Sequence, residues 1–280
     1  MIHIIYGDHG PRVVLLQALL RMKGHDVPMN GVFDRATWDA AVRLRIATGH
    51  EPRGPINSEI FASLLDGTRL KVIHSVDAQA GDVRVIAEKD LRARGIDPLL
   101  IKRRVGHGVE DAVKQIIHRA QGFRIAMLRF IGHGNEGTWM SIAVGNPYHE
   151  REHGHQTPAY KAMKADWHSY ISLAHLADHL PTLVRLKPFF APYGSVELHA
   201  CMIGGQTAMI KRLADLWEVP VSGGWNLQNV SADKIRDRYG WETTYTQIFQ
   251  GPVFTAYPYG LKMEEWAARM ERWVPAKRAA

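Results

Sequence analysis

The chain has 280 residues, of which 46% are hydrophobic and 22% are charged, so one or two globular domains with an apolar core are expected. The net charge is +7, but the basic residues are scattered, which argues against a specific nucleic-acid site. The single cysteine, Cys201, excludes an internal disulfide framework. No apolar run approaches the roughly 20 residues of a membrane span.

Three short helices are predicted in the first 68 residues, where apolar residues recur at helical spacing. Gly24 ends the first helix and Gly49 ends the second. Asp34 or a neighbour is placed to cap the second helix, and Asn57 or Ser58 is placed to cap the third. The segment therefore has the pattern of a compact helical unit.

The framework of this unit consists of glycines and apolar residues in a fixed order: Leu16-Gln17, Leu20, Gly24, Gly31-x-Phe33-x-x-x-Thr37, Gly54-x-Ile56 and Leu64-Leu65. This order resembles the three-helix peptidoglycan-binding-like module. The resemblance implies a small all-α N-terminal domain over residues 1–68, with peptidoglycan as a partner through residues 11–66. Leu44-Arg45 stands where the family usually has an aromatic–Gln pair, so a docking module without wall affinity stays open as an alternative.

Strand-like and helical segments alternate over residues 69–280. Strands are predicted at 70–76, 83–87, 99–101, 125–131, 196–200 and 219–221, with strand-like material over 244–257. Helices are predicted at 109–121, 169–190 (bent by Pro181) and 205–217, with a disordered tail after Pro275. This alternation predicts the α/β class, with a mostly parallel sheet flanked by helices.

Two of the predicted strands end on chemically reactive side chains. Cys201 directly follows the strand at 196–200, and His133 follows the strand at 125–131, between Gly132 and Gly134. Because the carboxyl ends of parallel strands meet at one edge of a sheet, we expect the thiol and the imidazole to lie close together. A cysteine and a histidine in that position are the minimum equipment for nucleophilic catalysis.

The pairs His133-Gly134 and Ala200-Cys201, each at a strand end and separated by a helix, resemble the caspase-like cysteine peptidase superfamily, which also contains gingipains, separases and legumains. The resemblance covers roughly residues 70–260. It implies Cys201 as the nucleophile and His133 as the general acid/base. It also implies an oxyanion hole formed by the backbone N–H groups of Gly134 and Cys201, and no cofactor.

The same resemblance bears on substrate choice. The pentapeptide that surrounds the catalytic cysteine of caspases is absent, so a preference for aspartate is not implied. The substrate pocket is expected at Ser222, Trp225 and Asn226, where this family often builds it.

The segment 148–155 contains a second candidate site, His149-Glu150-x-x-His153. On a helix this spacing would place two imidazoles on one zinc ion, with the glutamate as base. Pro147 and Gly154 flank the motif, and its charged residues offer no apolar face, which favours a solvated loop and no metal. A zinc-dependent peptidoglycan hydrolase using this motif stays open as an alternative, because wall-binding modules are often fused to zinc hydrolases.

The sequence as a whole predicts a cysteine endopeptidase that acts on a peptide or protein through a thioester acyl-enzyme on Cys201. A non-catalytic caspase-like binding module is the remaining alternative. The amino terminus lacks the pattern of a cleavable signal peptide, so the protein is expected to be cytoplasmic as made. A wall-binding-like module on such a chain predicts export by a specialised secretion system to the periplasm or a target cell, as for an antibacterial effector.

Overall fold

A computed structural model describes most of the chain. The described residues are 3–78, 80–102, 104, 107–135, 139–143, 166–228, 234–236, 240–244 and 248–274. The candidate zinc motif at 149–153 and the tail after Pro275 lie outside these ranges. Among the described residues, no helix combines the length and the apolar character that crossing a bilayer requires.

Helices and strands alternate through most of the described chain. The helices are α1 (Pro11–Met22), α2 (Arg35–Ala47), α3 (Ser58–Leu65), α4 (Gly81–Ala93), α5 (Gly108–Ala120), α6 (Leu176–Leu183), α7 (Thr207–Trp217) and α8 (Met263–Met270). The strands are β1 (Leu70–Asp77), β2 (Leu99–Ile101), β3 (Arg124–Ile131), β4 (Gly134–Asn135), β5 (Trp139–Ser141), β6 (Tyr170–Ser172), β7 (Phe190–His199), β8 (Val221–Gly224), β9 (Lys234–Arg236), β10 (Glu242–Thr244) and β11 (Val253–Ala256).

A six-stranded sheet forms the centre of the protein, in the order β2-β1-β3-β7-β8-β11. All neighbouring pairs are parallel except β8 and β11, which are antiparallel. The predicted α/β class with a mostly parallel sheet is therefore confirmed. A small antiparallel sheet, β4-β5-β6, follows the carboxyl end of β3, and β9 pairs with β10.

Helices cover both faces of the central sheet. On the face that we call the apolar face, α5, α6 and α7 pack on side chains such as Leu128, Phe130, Val196 and Leu198. On the opposite face, which we call the charged face, α4 packs over Val76 and Ile131, and the N-terminal helices and α8 pack over β3 and β7. Each fully buried leucine or isoleucine contributes about 1.5–3 kcal/mol to this packing.

The N-terminal helices follow the predicted pattern. Asp34 caps α2 by accepting a hydrogen bond from the backbone N–H of Thr37 at 2.9 Å, and Asn57 caps α3 in the same way. The buried side chain of Gln17 ties α1 to the turn before α2, because its amide contacts Asn30 at 2.7 Å and accepts from the N–H of Gly31 at 2.9 Å. These contacts explain why a glutamine is buried in this helix.

The hydrophobic core of the N-terminal helices is continuous with the sheet. Side chains of α1 pack in one cluster with Met127 of β3, Ala191 and Tyr193 of β7, and Trp266 of α8. The three helices thus serve as the helix layer over part of the charged face. The division of the chain into separate domains at residue 68 stays a prediction.

Two short predicted strands differ from the structure: the segment 219–221 contributes only Val221 to β8, and the segment 83–87 forms no strand. Residues 83–87 lie inside α4, which spans Gly81–Ala93. Val83, Ala87 and Leu91 are buried at intervals of one helical turn, whereas Val85 is 60% exposed. The β-branched residues suggested a strand, but packing against β1 favours the helix, and the parallel pairing of β1 with β2 needs such a crossover.

The predicted helix over 169–190 is wrong in its first part and shorter than expected. Tyr170–Ser172 form β6, because Ile171 pairs with Met140 of β5 and is buried by that contact. The helix α6 spans only Leu176–Leu183, and a 3-10 helix follows to Phe189. Of the strand-like segment 244–257, only its two ends form strands in the described residues, β10 and β11.

Candidate active site at the carboxyl ends of β3 and β7

The strands that carry the thiol and the imidazole are neighbours in the sheet. β3 and β7 pair in parallel, with Ile131 opposite His199, so His133 and Cys201 each lie two residues beyond the same rung. The N–H of Gly132 donates to the carbonyl of His199 at 3.2 Å, which extends the pairing past the end of β3. Both reactive residues therefore leave the sheet at one edge.

Gly134 contacts the backbone of Cys201 directly. A Cβ built on Gly134 would lie 2.4 Å from the carbonyl oxygen and 2.8 Å from the backbone nitrogen of Cys201. Only a residue without a side chain fits this approach. The structure thus places the residue after His133 against the cysteine, and this close approach requires a glycine at position 134.

A small antiparallel hairpin fixes the backbone of His133. The N–H of His133 donates to the hydroxyl of Ser141 at 2.8 Å, and its carbonyl accepts from the N–H of Ser141 at 2.8 Å. Gly134 is opposite Met140 in the next rung, and hydrogen-bonded and non-hydrogen-bonded rungs alternate in an antiparallel ladder. The N–H of Gly134 therefore points away from β5. The side chain of His133 is partly exposed.

The thiol of Cys201 is partly buried under the loop that follows β8, residues 225–228. Its sulfur donates to the carbonyl oxygen of Gln228 at 3.5 Å. The side-chain amide of Gln228 donates to the carbonyls of Asn226 at 3.0 Å and Gln250 at 2.9 Å, and accepts from the N–H of Gln250. Gln228 thus ties the loop above the sulfur to Gln250.

The chain turns sharply after Cys201. Met202 adopts a left-handed conformation with φ 55°, and its N–H donates to the carbonyl of Asn226 at 2.9 Å. A 3-10 helix at Ile203–Gly205 precedes α7, which begins at Thr207. The helix predicted after the cysteine is confirmed, with its first residue two positions later than expected.

The three residues predicted for a substrate pocket do not lie together in the structure. Trp225 is 44% exposed, and it and Asn226 lie on the loop above Cys201. Ser222 lies on the charged face, where its hydroxyl contacts Thr255 at 2.8 Å in a cavity of about 610 Å³ between the sheet and the N-terminal helices. Because strand residues alternate between faces, Ser222 shares its face with Glu197 and not with the loop over the thiol.

Sequence reasoning missed a buried charged network beside this site. Glu197, 3% exposed, accepts from Arg129 at 2.7 Å, from Arg12 at 2.9 Å and from the Nε2 of His199 at 2.9 Å. Arg129 is fully buried. The signal was visible in part, since charged residues interrupt two apolar strands, but Arg12 is 185 residues away from Glu197 in the chain.

Burial and ion pairing together set the charge states of Glu197, Arg129 and His199. Burial alone would raise the pKa of Glu197, but the guanidinium groups of Arg12 and Arg129 hold this pKa well below its ordinary value. Burial lowers the pKa of Arg129 to about 10, with Glu197 opposing, so the guanidinium stays charged at neutral pH. Burial also lowers the pKa of His199 to about 4, against its hydrogen bond to Glu197. The imidazole of His199 is therefore neutral and donates its Nε2 proton to the carboxylate.

Within the described residues, no group of three or more histidine, cysteine or acidic side chains has an arrangement that could hold a metal ion. His149, Glu150 and His153 lie outside those residues, so the zinc alternative stays a prediction. No family model, curated protein or solved structure matches this chain.

Proposed function

We propose that this protein is a cysteine endopeptidase with Cys201 as nucleophile and His133 as general acid/base. The observation that supports the proposal is the contact between Gly134 and Cys201 at the shared edge of β3 and β7. The resemblance of His133-Gly134 and Ala200-Cys201 to the caspase-like superfamily agrees with this layout. The parallel pairing of the two strands is the condition on which that resemblance depends.

In the proposed reaction, His133 accepts the proton of the Cys201 thiol, the sulfur attacks the carbonyl carbon of the scissile peptide bond, and a C–S bond forms as the C=O π electrons move to the oxygen. The negative charge that develops on the carbonyl oxygen is stabilised by the backbone N–H groups of Gly134 and Cys201. The N–H of Gly134 is oriented away from β5, as such a donor requires. His133 passes a proton to the leaving amine as the C–N bond breaks. Water, deprotonated by His133, then attacks the thioester carbon; a C–O bond forms, the C–S bond breaks, and the proton held by His133 returns to the sulfur as the acid product leaves.

Trp225 and Asn226 are the residues that we assign to substrate binding. Both lie on the loop whose Gln228 carbonyl accepts from the thiol, so a peptide that reaches the sulfur passes beside them. The exposed indole of Trp225 and the exposed side chain of Leu227, at 61%, give this loop an apolar surface. We expect this surface to contact the peptide next to the scissile bond.

The test is cleavage of a fluorogenic peptide library by the purified full-length protein. We expect Cys201→Ala to abolish cleavage and His133→Ala to lower kcat by about 100- to 10 000-fold, the usual contribution of a general acid/base. His25→Ala, a partly buried histidine in the loop after α1, is the matched control and should retain full activity. An acyloxymethyl ketone probe should label Cys201 with a stoichiometry of one, because the chain has a single cysteine.

Two outcomes would overturn the proposal. Stoichiometric zinc, lost in His149→Ala, together with activity that is indifferent to Cys201→Ala, would favour the zinc hydrolase. A thiol that reacts with no acyl probe, in a protein that cleaves no peptide, would favour a non-catalytic binding module.

We also propose peptidoglycan as a partner of the N-terminal helices, supported by one groove. A cavity of about 490 Å³ is lined by the aromatic rings of Tyr6, Trp38 and Trp241, with Arg35 and Arg53 at its border. Tyr6 and Trp38 meet edge to face with ring centroids 6.1 Å apart. Aromatic rings pack against the apolar faces of sugar rings, and guanidinium groups bind carboxylates such as those of wall peptides.

Arg45 belongs to the Leu44-Arg45 pair that stands where peptidoglycan-binding-like modules usually have an aromatic–Gln pair. Its guanidinium donates to the carbonyls of Pro55 at 2.7 Å and Arg53 at 2.9 Å, so it shapes the loop that borders the groove. Sedimentation with insoluble peptidoglycan tests the groove. We expect Trp38→Ala and Trp241→Ala to reduce co-sedimentation, whereas Trp273→Ala, at an exposed tryptophan outside the groove, should have no effect. Equal binding by all three variants would contradict this assignment.

A further inference from the structure

A chain of direct contacts runs from the first turn of α1 to the thiol. Arg12 is the second residue of α1, and its side chain crosses to the sheet to contact both carboxylate oxygens of Glu197. Its side chain is only 17% exposed. A guanidinium paired with a carboxylate through two nitrogens is fixed in orientation as well as in distance. The N-terminal helices are thereby locked to the strand that ends before Cys201.

The next contact passes through His199 to Phe249. The Nε2 of His199 lies 2.9 Å from Glu197, and its ring stacks on Phe249 with centroids 4.3 Å apart and planes 6° from parallel. The guanidinium of Arg12 also lies over the Phe249 ring, 5.6 Å from its centroid. Phe249 is thus packed against two members of the charged network.

Phe249 brings the contacts to the loop over the sulfur. Its neighbour Gln250 exchanges two hydrogen bonds with the side chain of Gln228, each 2.9 Å long. The carbonyl of Gln228 is the acceptor for the thiol of Cys201. A displacement of Phe249 would therefore move the acceptor of the thiol.

A second branch reaches the imidazole. The carbonyl of His199 accepts from the N–H of Gly132, the residue before His133. Movement of His199 would therefore change the end of β3 as well as the loop above Cys201. The backbone segments that carry both reactive residues are therefore connected to His199, the residue that Glu197 holds in place.

We propose that Arg12 is a positioning residue of the Cys201 site, and that the N-terminal helices complete this site through it. The inference rests on the proposed function. Loops at the edge of a sheet are mobile unless buried contacts hold them, and a displacement of about 1 Å at a reacting atom can lower a rate by about 100-fold. In this molecule the buried contact comes from a helix near the start of the chain. The N-terminal helices would therefore have a catalytic consequence in addition to any binding of cell wall.

The experiment compares Arg12→Met with Arg21→Met in the full chain. Arg21 is the matched control because it is a buried arginine of the same helix that contacts Val27, Glu271 and Val274, at the far end of α1 from the charged network. The measurements are kcat and KM for peptide cleavage, the pH profile of Cys201 alkylation by iodoacetamide, and the melting temperature.

We expect Arg12→Met to lower kcat by about 10- to 100-fold with a smaller effect on KM. The pH profile of alkylation should shift, because the thiol loses its fixed acceptor. Arg21→Met should lower the melting temperature by a similar amount and leave kcat and the alkylation profile unchanged. Arg12→Lys should recover part of the lost kcat, since an ammonium keeps the charge and loses the two-nitrogen geometry.

A folded Arg12→Met variant with the kcat and the alkylation profile of the wild-type protein would overturn the inference. Where Arg12→Met fails to fold, Phe249→Leu gives the decision, since it removes the stacked ring without changing a charge. An unchanged alkylation profile in Phe249→Leu overturns the inference, and a shifted profile supports it. If the wild-type protein cleaves no peptide, the proposed function fails, and the alkylation profiles alone decide whether Arg12 positions the thiol.

Discussion

The two faces of the central sheet bury different chemistry under similar helices. On the apolar face, residues such as Phe130 and Leu198 pack against α5, α6 and α7. On the charged face, a row of polar residues crosses the sheet in register, from His74 through Arg129 and Glu197 to Ser222. The residues of the two faces alternate along the same strands, so the two faces share one backbone and differ only in their side chains.

The two faces therefore have different roles: the apolar face mainly stabilises the fold, whereas the charged face fixes the position of the elements packed on it. Apolar packing stabilises in proportion to the area it removes from water and accepts many arrangements of similar volume. Burying charges costs several kcal/mol in desolvation, which only close pairing offsets. A network of this kind therefore fixes one geometry. In this protein, that geometry orients the N-terminal helices against the strand that carries Cys201.

The largest effect is expected from removing the carboxylate of the charged face. Glu197→Ala should lower the free energy of unfolding by about 3–5 kcal/mol, because the fully buried guanidinium of Arg129 would lose the carboxylate that pairs with it. Urea denaturation at pH 7 measures this loss. In the double variant Glu197→Met/Arg129→Met, which removes both buried charges, most of the stability should return. A loss below about 1 kcal/mol in the single variant would contradict a buried, paired charge at this position.

The next effect is on the apolar face, one residue further along the same strand. Leu198→Ala should lower the free energy of unfolding by about 3 kcal/mol, through lost burial and the cavity that remains. Because no charge is involved, this loss should be the same at pH 5 and pH 7 and at low and high salt. A loss that depends on pH would show that the two faces are coupled more closely than the contacts indicate.

Acid should weaken the charged face selectively. Burial lowers the pKa of His74 well below its ordinary value, and lowers that of His199 to about 4. The unfolded chain takes up protons as pH falls below about 6.5, whereas the folded rings do not until their lower pKa is reached. The stability that these rings contribute is therefore present above pH 6.5 and is lost as pH falls towards 4.

The variant His74→Leu tests this sign. Among the described residues, neither ring nitrogen of His74 has a hydrogen-bond partner, so an apolar replacement leaves no group unsatisfied. We expect a gain of about 1–2 kcal/mol at pH 5 and a shallower decrease of stability between pH 6.5 and 4. Leu198→Ala serves as the control and should keep the slope of the wild-type protein. A slope that is unchanged in His74→Leu would exclude His74 as a source of the acid sensitivity.

The sequence was sufficient to predict that His133 and Cys201 follow the carboxyl ends of two strands. The apolar runs before His133 and Cys201 and the glycines beside them are local signals, and each predicts a strand end on its own. Residues 83–87 were misjudged because β-branched residues favour a strand locally, and only the surface of β1 selects a helix there. The extent of β7 was also underestimated, because Pro192 and Gly194 interrupt the apolar pattern of its first half.

The contacts that hold the site could not be predicted, for a physical reason. Arg12 meets Glu197, and Gln228 meets Gln250, only after the chain has folded. No spacing in the sequence distinguishes these residues from solvated ones. A charged residue inside an apolar strand indicates that a buried partner exists, but it does not identify the partner. Ser222 was predicted for the substrate pocket from its position in the chain alone, and the sequence did not show that it faces the N-terminal helices.

The smallest effect is expected from charges on the outer surface of α4, which covers the charged face. Arg92 is 54% exposed and pairs with Glu88 at 3.0 Å and Asp97 at 3.3 Å. Solvent and salt screen such pairs, so Arg92→Gln should lower the free energy of unfolding by less than about 1 kcal/mol, and 1 M salt should remove the difference. Urea denaturation at two salt concentrations measures this. A loss as large as that of Glu197→Ala would mean that the number of charges, and not their burial, distinguishes the two faces of the sheet.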